Sequence, residues 1–267
     1  MLPSFGSVVG IDVGYSQARR SSAVCRLDWD TTTVRWRIGR SKAIEHERAG
    51  IIAEIVGKEM LLAASLDGPL RRGLDVIGQY RAAERMLTRR LAPLIGKPGQ
   101  ANAPVGRQLN AHANACARVL LKSSNLLRST HKIAIDDLAI SEAFPSSFLG
   151  LMIKDPASLE AGRGDRSDTF FNYLATNGFL NRLLDHFLPG RRLESSFIEV
   201  KNHDDRAALV CALTALSVAG GDFTAVGDEN GWIILPPISF IQRWAREKLR
   251  QNNSEECRDS LHVERSQ

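Results

Sequence analysis

Hydrophobic and polar positions fall along this chain in blocks that read as strands alternating with helices. The first block is Ser7 to Ser16, SVVGIDVGYS. Its β-branched run (Val8, Val9, Ile11) carries one acid, Asp12, and stops at Val13-Gly14. So short an apolar run predicts a central strand buried on both faces. Its acid falls at the C-terminal end, the edge where open α/β sheets hold ligands. Gly14 permits a sharp turn or a close backbone approach there.

Ser22 to Trp29 predicts a second strand. Thr31 to Ile38, alternating over Thr33, Val34, Arg35, Trp36, Arg37 and Ile38, predicts a third. Asp30-Thr31 is the short turn between them, so the three form an antiparallel meander. Residues 44–58 carry helical spacing, with Ile44, Ile51, Ile52, Ile55 and Val56 on one side. Met60 to Leu66 is a second apolar run, ending in Asp67-Gly68-Pro69, and so repeats the opening pattern of strand, acid and glycine. A strand entered after a helix is expected parallel to the first, which puts Asp67 on the same sheet edge as Asp12. Residues 78–95 predict a basic helix, 96–106 a loop, and 107–127 a helix with Leu109, Ala113, Cys116, Leu120 and Leu121 inward.

Lys132 to Ala143 reads as one or two extended pieces, and residues 138–142 end an apolar run on an acid for the third time, at Glu142. Residues 155–168 read as a loop, 167–177 and 178–188 as helices, and Phe197 to Val200 as a short strand. Asn202-His203-Asp204-Asp205 then leads a segment apolar all round, which marks a helix buried against the sheet with Asp204 or Asp205 as its cap. Phe223 to Val226 and Gly231 to Leu235 read as a hairpin across Asp228-Glu229-Asn230-Gly231. A last helix is expected over about 238–250. The polar residues 251–267 are expected to be a disordered tail. The whole predicts one α/β domain over 1–250, with a mixed sheet of three antiparallel strands followed by parallel ones, flanked by helices.

Composition narrows the class. At 267 residues, 43% hydrophobic and 24% charged, the chain can bury an ordinary core. No apolar stretch is long enough to span a bilayer, so no membrane partner is expected. The N-terminus MLPSFGS lacks the pattern of a signal peptide. Cys25, Cys116, Cys211 and Cys257 are scattered without a CxxC pair, and Cys25 and Cys211 sit in apolar runs. A reducing, cytoplasmic setting without disulfides or zinc is the expectation. The net charge of +5 admits an anionic partner. Its basic residues cluster at Arg71-Arg72, at Arg81, Arg85, Arg89-Arg90 and at Arg191-Arg192, although any one cluster can equally be a solvated face.

The candidate chemistry lies in the acids. Asp12, Asp67, Glu142 and Asp204 or Asp205 are distant in sequence, yet three end apolar runs and the last heads a buried helix. Several carboxylates at one sheet edge repel unless a cation sits among them. Mg²⁺ or Mn²⁺ suits such oxygen ligands, and two such ions about 4 Å apart support phosphodiester cleavage without a Ser, Cys or His nucleophile. Each acid also has a structural alternative: Asp204 as a helix cap, Asp67 as the first residue of a Gly-Pro turn, Glu142 as a solvated strand end. His203 is a candidate for proton transfer or phosphate binding, and Arg81 and Arg85 for substrate binding. Lys154, Arg163 and Arg166, near Asp165 and Asp168, form a polar stretch that could touch a phosphate backbone. His46, His112, His131 and His186 share no metal-ligand spacing.

The segments GIDVGYS, SLDGPL, YRAAERMLTRR, ISEAFPSSFLG, GDRSD, HDDRAALVCALTAL and GWIILP, in that order from about residue 7 to 236, resemble the family catalogued as domain of unknown function 429. Its members are predicted ribonuclease H-like nucleases. The resemblance implies a ribonuclease H-like fold, Asp12, Asp67, Glu142 and Asp204 or Asp205 as metal-binding acids, and nucleic acid as the partner. One position departs. Holliday-junction resolvases of that superfamily carry Asp-x-x-Asp-Ala at the last helix, and here Ala207 stands where the second acid would be. Two alternatives stay open. One is a catalytically silent domain that binds nucleic acid or protein, which Ala207 would suit. The other is a phosphotransferase of the sugar-kinase and actin-like type, which shares the strand followed by Asp12-Val13-Gly14. For the second, the chain is short and Gly220-Gly221 follows a helix rather than a strand.

Overall fold

The computed structural model describes residues 2–57, 60–71, 74–135, 138, 140–159, 165–256 and 259–265. Strand β1 (Gly6–Asp12) lies at the centre of the sheet, and its pleat explains the opening run of the sequence. Val8 points into one core and Val9 and Ile11 into the other, so the strand is apolar on both faces. β2 (Ser22–Trp29) and β3 (Thr33–Ser41) complete the antiparallel meander expected from the sequence, with Asp12 opposite Ala23. After α1 (Glu45–Val56), β4 (Ala63–Asp67) returns beside β1 and parallel to it. The register places Asp67 directly against Asp12.

Helices α2 (Ala82–Thr88), α3 (Ala92–Ile95) and α4 (Pro104–Ser123) precede β5 (Ile140–Ala143), again parallel. Then come α5 (Pro145–Gly150), α6 (Arg166–Thr176), α7 (Phe179–Phe187), the two-residue β6 (Arg192–Leu193) and α8 (His203–Ala219). The hairpin of β7 (Phe223–Asp228) and β8 (Gly231–Leu235), α9 (Arg243–Ser254) and β9 (Leu261–Glu264) complete the chain. The protein is an α/β fold whose described residues form one mixed sheet of nine strands, ordered β6-β3-β2-β1-β4-β5-β8-β7-β9 and flanked by helices.

The helices divide between the two faces. α1 and α4 cover one, packing on Val9, Ile11, Ala64 and Leu66. α8 lies on the other, buried along almost its whole length against β1, β2 and β4. It comes close because Gly10 presents no side chain. A Cβ there would stand 2.1 Å from the Ala212 nitrogen and 2.2 Å from the Ala208 carbonyl oxygen. Those are backbone atoms of a buried helix and cannot swing aside. Gly10→Ala is therefore expected to destabilise the protein by about 2–3 kcal/mol through overpacking. A thermal melt checks this: an unchanged midpoint would show that α8 can shift on the sheet.

Three sequence expectations change. Residues 197–199 form a 3-10 turn, because the Ser196 hydroxyl and the Glu199 carboxylate close a reciprocal cap there. The expected 78–95 helix is two shorter ones, α2 and α3. The tail is not wholly disordered: α9 continues to Ser254, and β9 pairs antiparallel with β7, Leu261 opposite Val226. That edge pairing is made by backbone groups, which the polar composition of the segment does not reveal. Among the described residues no helix is long and apolar enough to cross a membrane. Cys25, Cys116 and Cys211 are buried thiols. Cys257, Arg72, Arg163 and Ala139 lie outside the described residues.

Candidate functional site

Parallel register brings Asp12 and Asp67 together at the C-terminal ends of β1 and β4. Behind Asp12 the chain turns at Gly14, whose N–H donates to Ser22 Oγ at 3.1 Å. A Cβ on Gly14 would lie 1.9 Å from the Ser21 carbonyl, so the turn requires glycine. The third acid arrives with α8. Its cap is Asn202, whose side chain accepts from the N–H groups of Asp204 and Asp205. The expected cap role of Asp204 or Asp205 is thereby corrected, and both carboxylates are released from the helix end.

Electrostatics shows which acids share a field. Burial pushes the Asp12 carboxyl well above the ordinary range, and the charges of Asp67, Asp204 and Asp205 push it further. Asp67 is raised to about 7, first by burial, then by Glu142 and Asp165, against a lowering by His203. Burial also raises Asp204, with His203, Arg40 and Arg19 opposing. Asp205 is raised by burial and partly offset by Arg40, with which it pairs at 3.3 Å. Among the described residues the Asp12 and Asp67 carboxylates have no hydrogen-bond or ion-pair partner.

Glu142 is placed differently. It stands on β5 with its neighbour Ala143 paired to Asp67, but its carboxylate is gripped by Arg81, with Nη2 at 2.6 Å and Nη1 at 3.0 Å. Arg81 also donates to Glu84 Oε1 at 2.8 Å, and all three side chains are buried. Burial pulls the Arg81 pKa down, but Glu142 and Glu84 outweigh it and hold the guanidinium above its usual range. Arg81 is thus the internal counter-ion of two acids and not a substrate contact. Arg85 is likewise committed, to Glu256 at 2.6 Å, while Arg89 and Arg90 pair with Glu255. The basic helix read as a binding face is in fact the seam between α2 and the chain after α9.

His203 stands exposed at the start of α8. Its Nδ1 meets Asp168 Oδ2 at 3.2 Å, and Asp168 also holds Arg206 at 3.0 Å. Asp168 therefore orients the ring and leaves Nε2 directed elsewhere. A cleft of about 350 Å³ opens over this edge, lined by Asp67, Lys97, Ser146, Arg166, His203 and Ala207 among others. Arg166 reaches the cleft, in keeping with its place in the polar stretch. Lys97, in a loop read only as Gly- and Pro-rich, and Asp168 as the partner of His203 went unread. No local spacing signals either, because both are assembled by tertiary packing.

The donor set can be tested against a divalent ion. Among the described residues no group of three or more His, Cys, Asp or Glu side chains forms a ready metal cage. Mg²⁺ does not demand one: it keeps several waters and takes one or two carboxylates together with substrate phosphate oxygens. Two in-register carboxylates without an ion-pair partner among the described residues, with Asp204 in the field of Asp12, fit that mode. Comparison with known protein families, curated proteins and solved structures finds no match.

Proposed function

We propose that the protein is a ribonuclease H-like enzyme of the family catalogued as domain of unknown function 429, hydrolysing nucleic-acid phosphodiester bonds with Mg²⁺ or Mn²⁺. One observation carries the reading: Asp12 and Asp67 sit in register at one sheet edge, half-buried and without an ion-pair partner among the described residues. Asp12 and Asp67, with Asp204, would hold the ion. When bound, such an ion supplies charge neutralisation at a phosphoryl oxygen and a more acidic water. Lys97 and Arg166 on the cleft wall attract the phosphate backbone. His203, oriented by Asp168, exchanges a proton at Nε2 with the attacking or leaving oxygen.

Two observations favour the silent binding domain as the second reading. Ala207 lines the cleft where a further acid would stand, and Glu142 is already neutralised by Arg81. A panel of end-labelled single-stranded, duplex, hybrid and branched nucleic acids, incubated with Mg²⁺ or Mn²⁺, separates the two. The nuclease reading expects cleavage that a chelator abolishes and that His203→Ala slows about 10²–10⁴-fold without weakening substrate binding. Binding without metal-dependent cleavage of any substrate would establish the silent domain.

A further inference from the structure

Among the described residues a second concentration of charge is cationic and lies beyond the turn that follows Asp67. Arg71, at the exit of β4, Arg118, on α4, and Arg128, just after α4, line one cavity of about 190 Å³. No acid among the described residues lines it. Among the described residues none of these three guanidiniums forms an ion pair, unlike Arg81, Arg85, Arg89 and Arg90. The Nε–H of Arg71 donates to the neutral Glu229 carbonyl oxygen at 3.0 Å. Three exposed like charges around one hollow favour an anion over a cation there.

The cavity is also built to hold its shape. The turn carrying Arg71 is pinned to α4: Asn110 Nδ2 donates to the Pro69 carbonyl at 2.7 Å and to the Arg71 carbonyl at 3.1 Å. Asn114 Nδ2 donates to the Leu70 carbonyl at 3.1 Å. Leu70, Leu121 and Ile140 make an apolar floor. The planar fork of each guanidinium matches a phosphate bidentately. Another hollow, with Arg246, Arg250 and Arg265, has an aliphatic lining and no other polar residue, whereas Asn114, Ser129 and His131 stand among the arginines here.

We propose that the Arg71–Arg118–Arg128 cavity is a phosphate-binding site. The group it takes is a phosphate, as a free or terminal monoester or as a backbone diester. Arg71 lies four positions beyond Asp67, so the two Cα atoms are at most about 14 Å apart along the chain. The site needs no metal and stands independently of the nuclease reading.

Calorimetric titration of the full chain with inorganic phosphate, at low salt and without divalent metal, tests it. Wild type is expected to bind in the micromolar to millimolar range. Arg118→Ala/Arg128→Ala is expected to weaken binding at least about tenfold at an unchanged melting temperature, since both side chains are exposed. The charge-matched Arg246→Ala/Arg250→Ala should bind as wild type does, and so should Asp12→Asn. Displacement by a 5′-phosphorylated oligothymidylate but not by its hydroxyl-ended counterpart would assign a monoester; equal displacement by both would assign a diester. No binding at millimolar phosphate, or equal effects of the two arginine pairs, would overturn the proposal.

Discussion

Asp12→Asn is expected to make the metal-free protein more stable while it abolishes metal binding and lowers any turnover by about 10³-fold or more. The stability gain follows from the charge field. Asp67 ionises at about 7 instead of near 3.8, and Asp12 is raised as well, by burial and then by Asp67, Asp204 and Asp205. Between those two pH values the native state holds a proton that the unfolded chain has released. Stability of the metal-free protein therefore falls as pH rises from about 4 to about 7. A tenfold change in a carboxyl's acidity on folding is worth about 1.4 kcal/mol, so the rise of Asp67 from 3.8 to about 7 alone costs on the order of 4 kcal/mol above that window. Removing one charge recovers about 2 kcal/mol and raises the melting temperature by roughly 5 °C at pH 7.5, with a smaller gain at pH 4. Saturating Mg²⁺ should raise the wild-type melting temperature and leave that of Asp12→Asn unmoved. Denaturation across pH, with and without Mg²⁺, reads all of this. A mutant less stable than wild type at pH 7.5 would show that Asp12 is a structural residue, and the metal reading would fall with it.

The sites of this charge were legible because a strand buried on both faces has no other use for a carboxylate. An acid ending an apolar run, twice over, implied two neighbouring parallel strands, and the register of Asp12 with Asp67 agrees. The limits of that reading are equally physical. Asn202, His203, Asp204 and Asp205 include three cap-competent side chains in close succession, and one-residue accuracy at a helix start is beyond composition. Pairing at a distance was illegible. Arg85 meets an acid 171 positions away, and nothing in YRAAERMLTRR distinguishes a salt-bridged seam from a surface awaiting nucleic acid. Edge strand β9 was hidden for the same reason, since any polar segment can donate backbone hydrogen bonds to an open sheet edge.

Glu142 shows how a correct position can carry a different role. It ends its strand beside the acid edge as expected, yet Arg81 satisfies both carboxylate oxygens. Arg81→Met would leave Glu142 and Glu84 buried, at 5% and 0% exposure, without their cation. Uncompensated buried charge of this kind costs about 3–5 kcal/mol. Neutralising the acids in the same background, as Arg81→Met/Glu84→Gln/Glu142→Gln, should restore most of that loss, because the penalty lies in the orphaned charges and not in the missing contacts. Urea unfolding of the single and triple variants measures the coupling directly. The consequence for the site is separable. Glu142→Gln is expected to leave Mg²⁺ affinity within about threefold of wild type, where Asp12→Asn removes it, since the Glu142 charge is already spent on Arg81. Equal losses in the two variants would mean that Arg81 releases Glu142 to the ion when metal binds. The guanidinium would then be a switch between a structural and a metal-binding carboxylate, and no longer a permanent substitute for a cation at that end of the sheet.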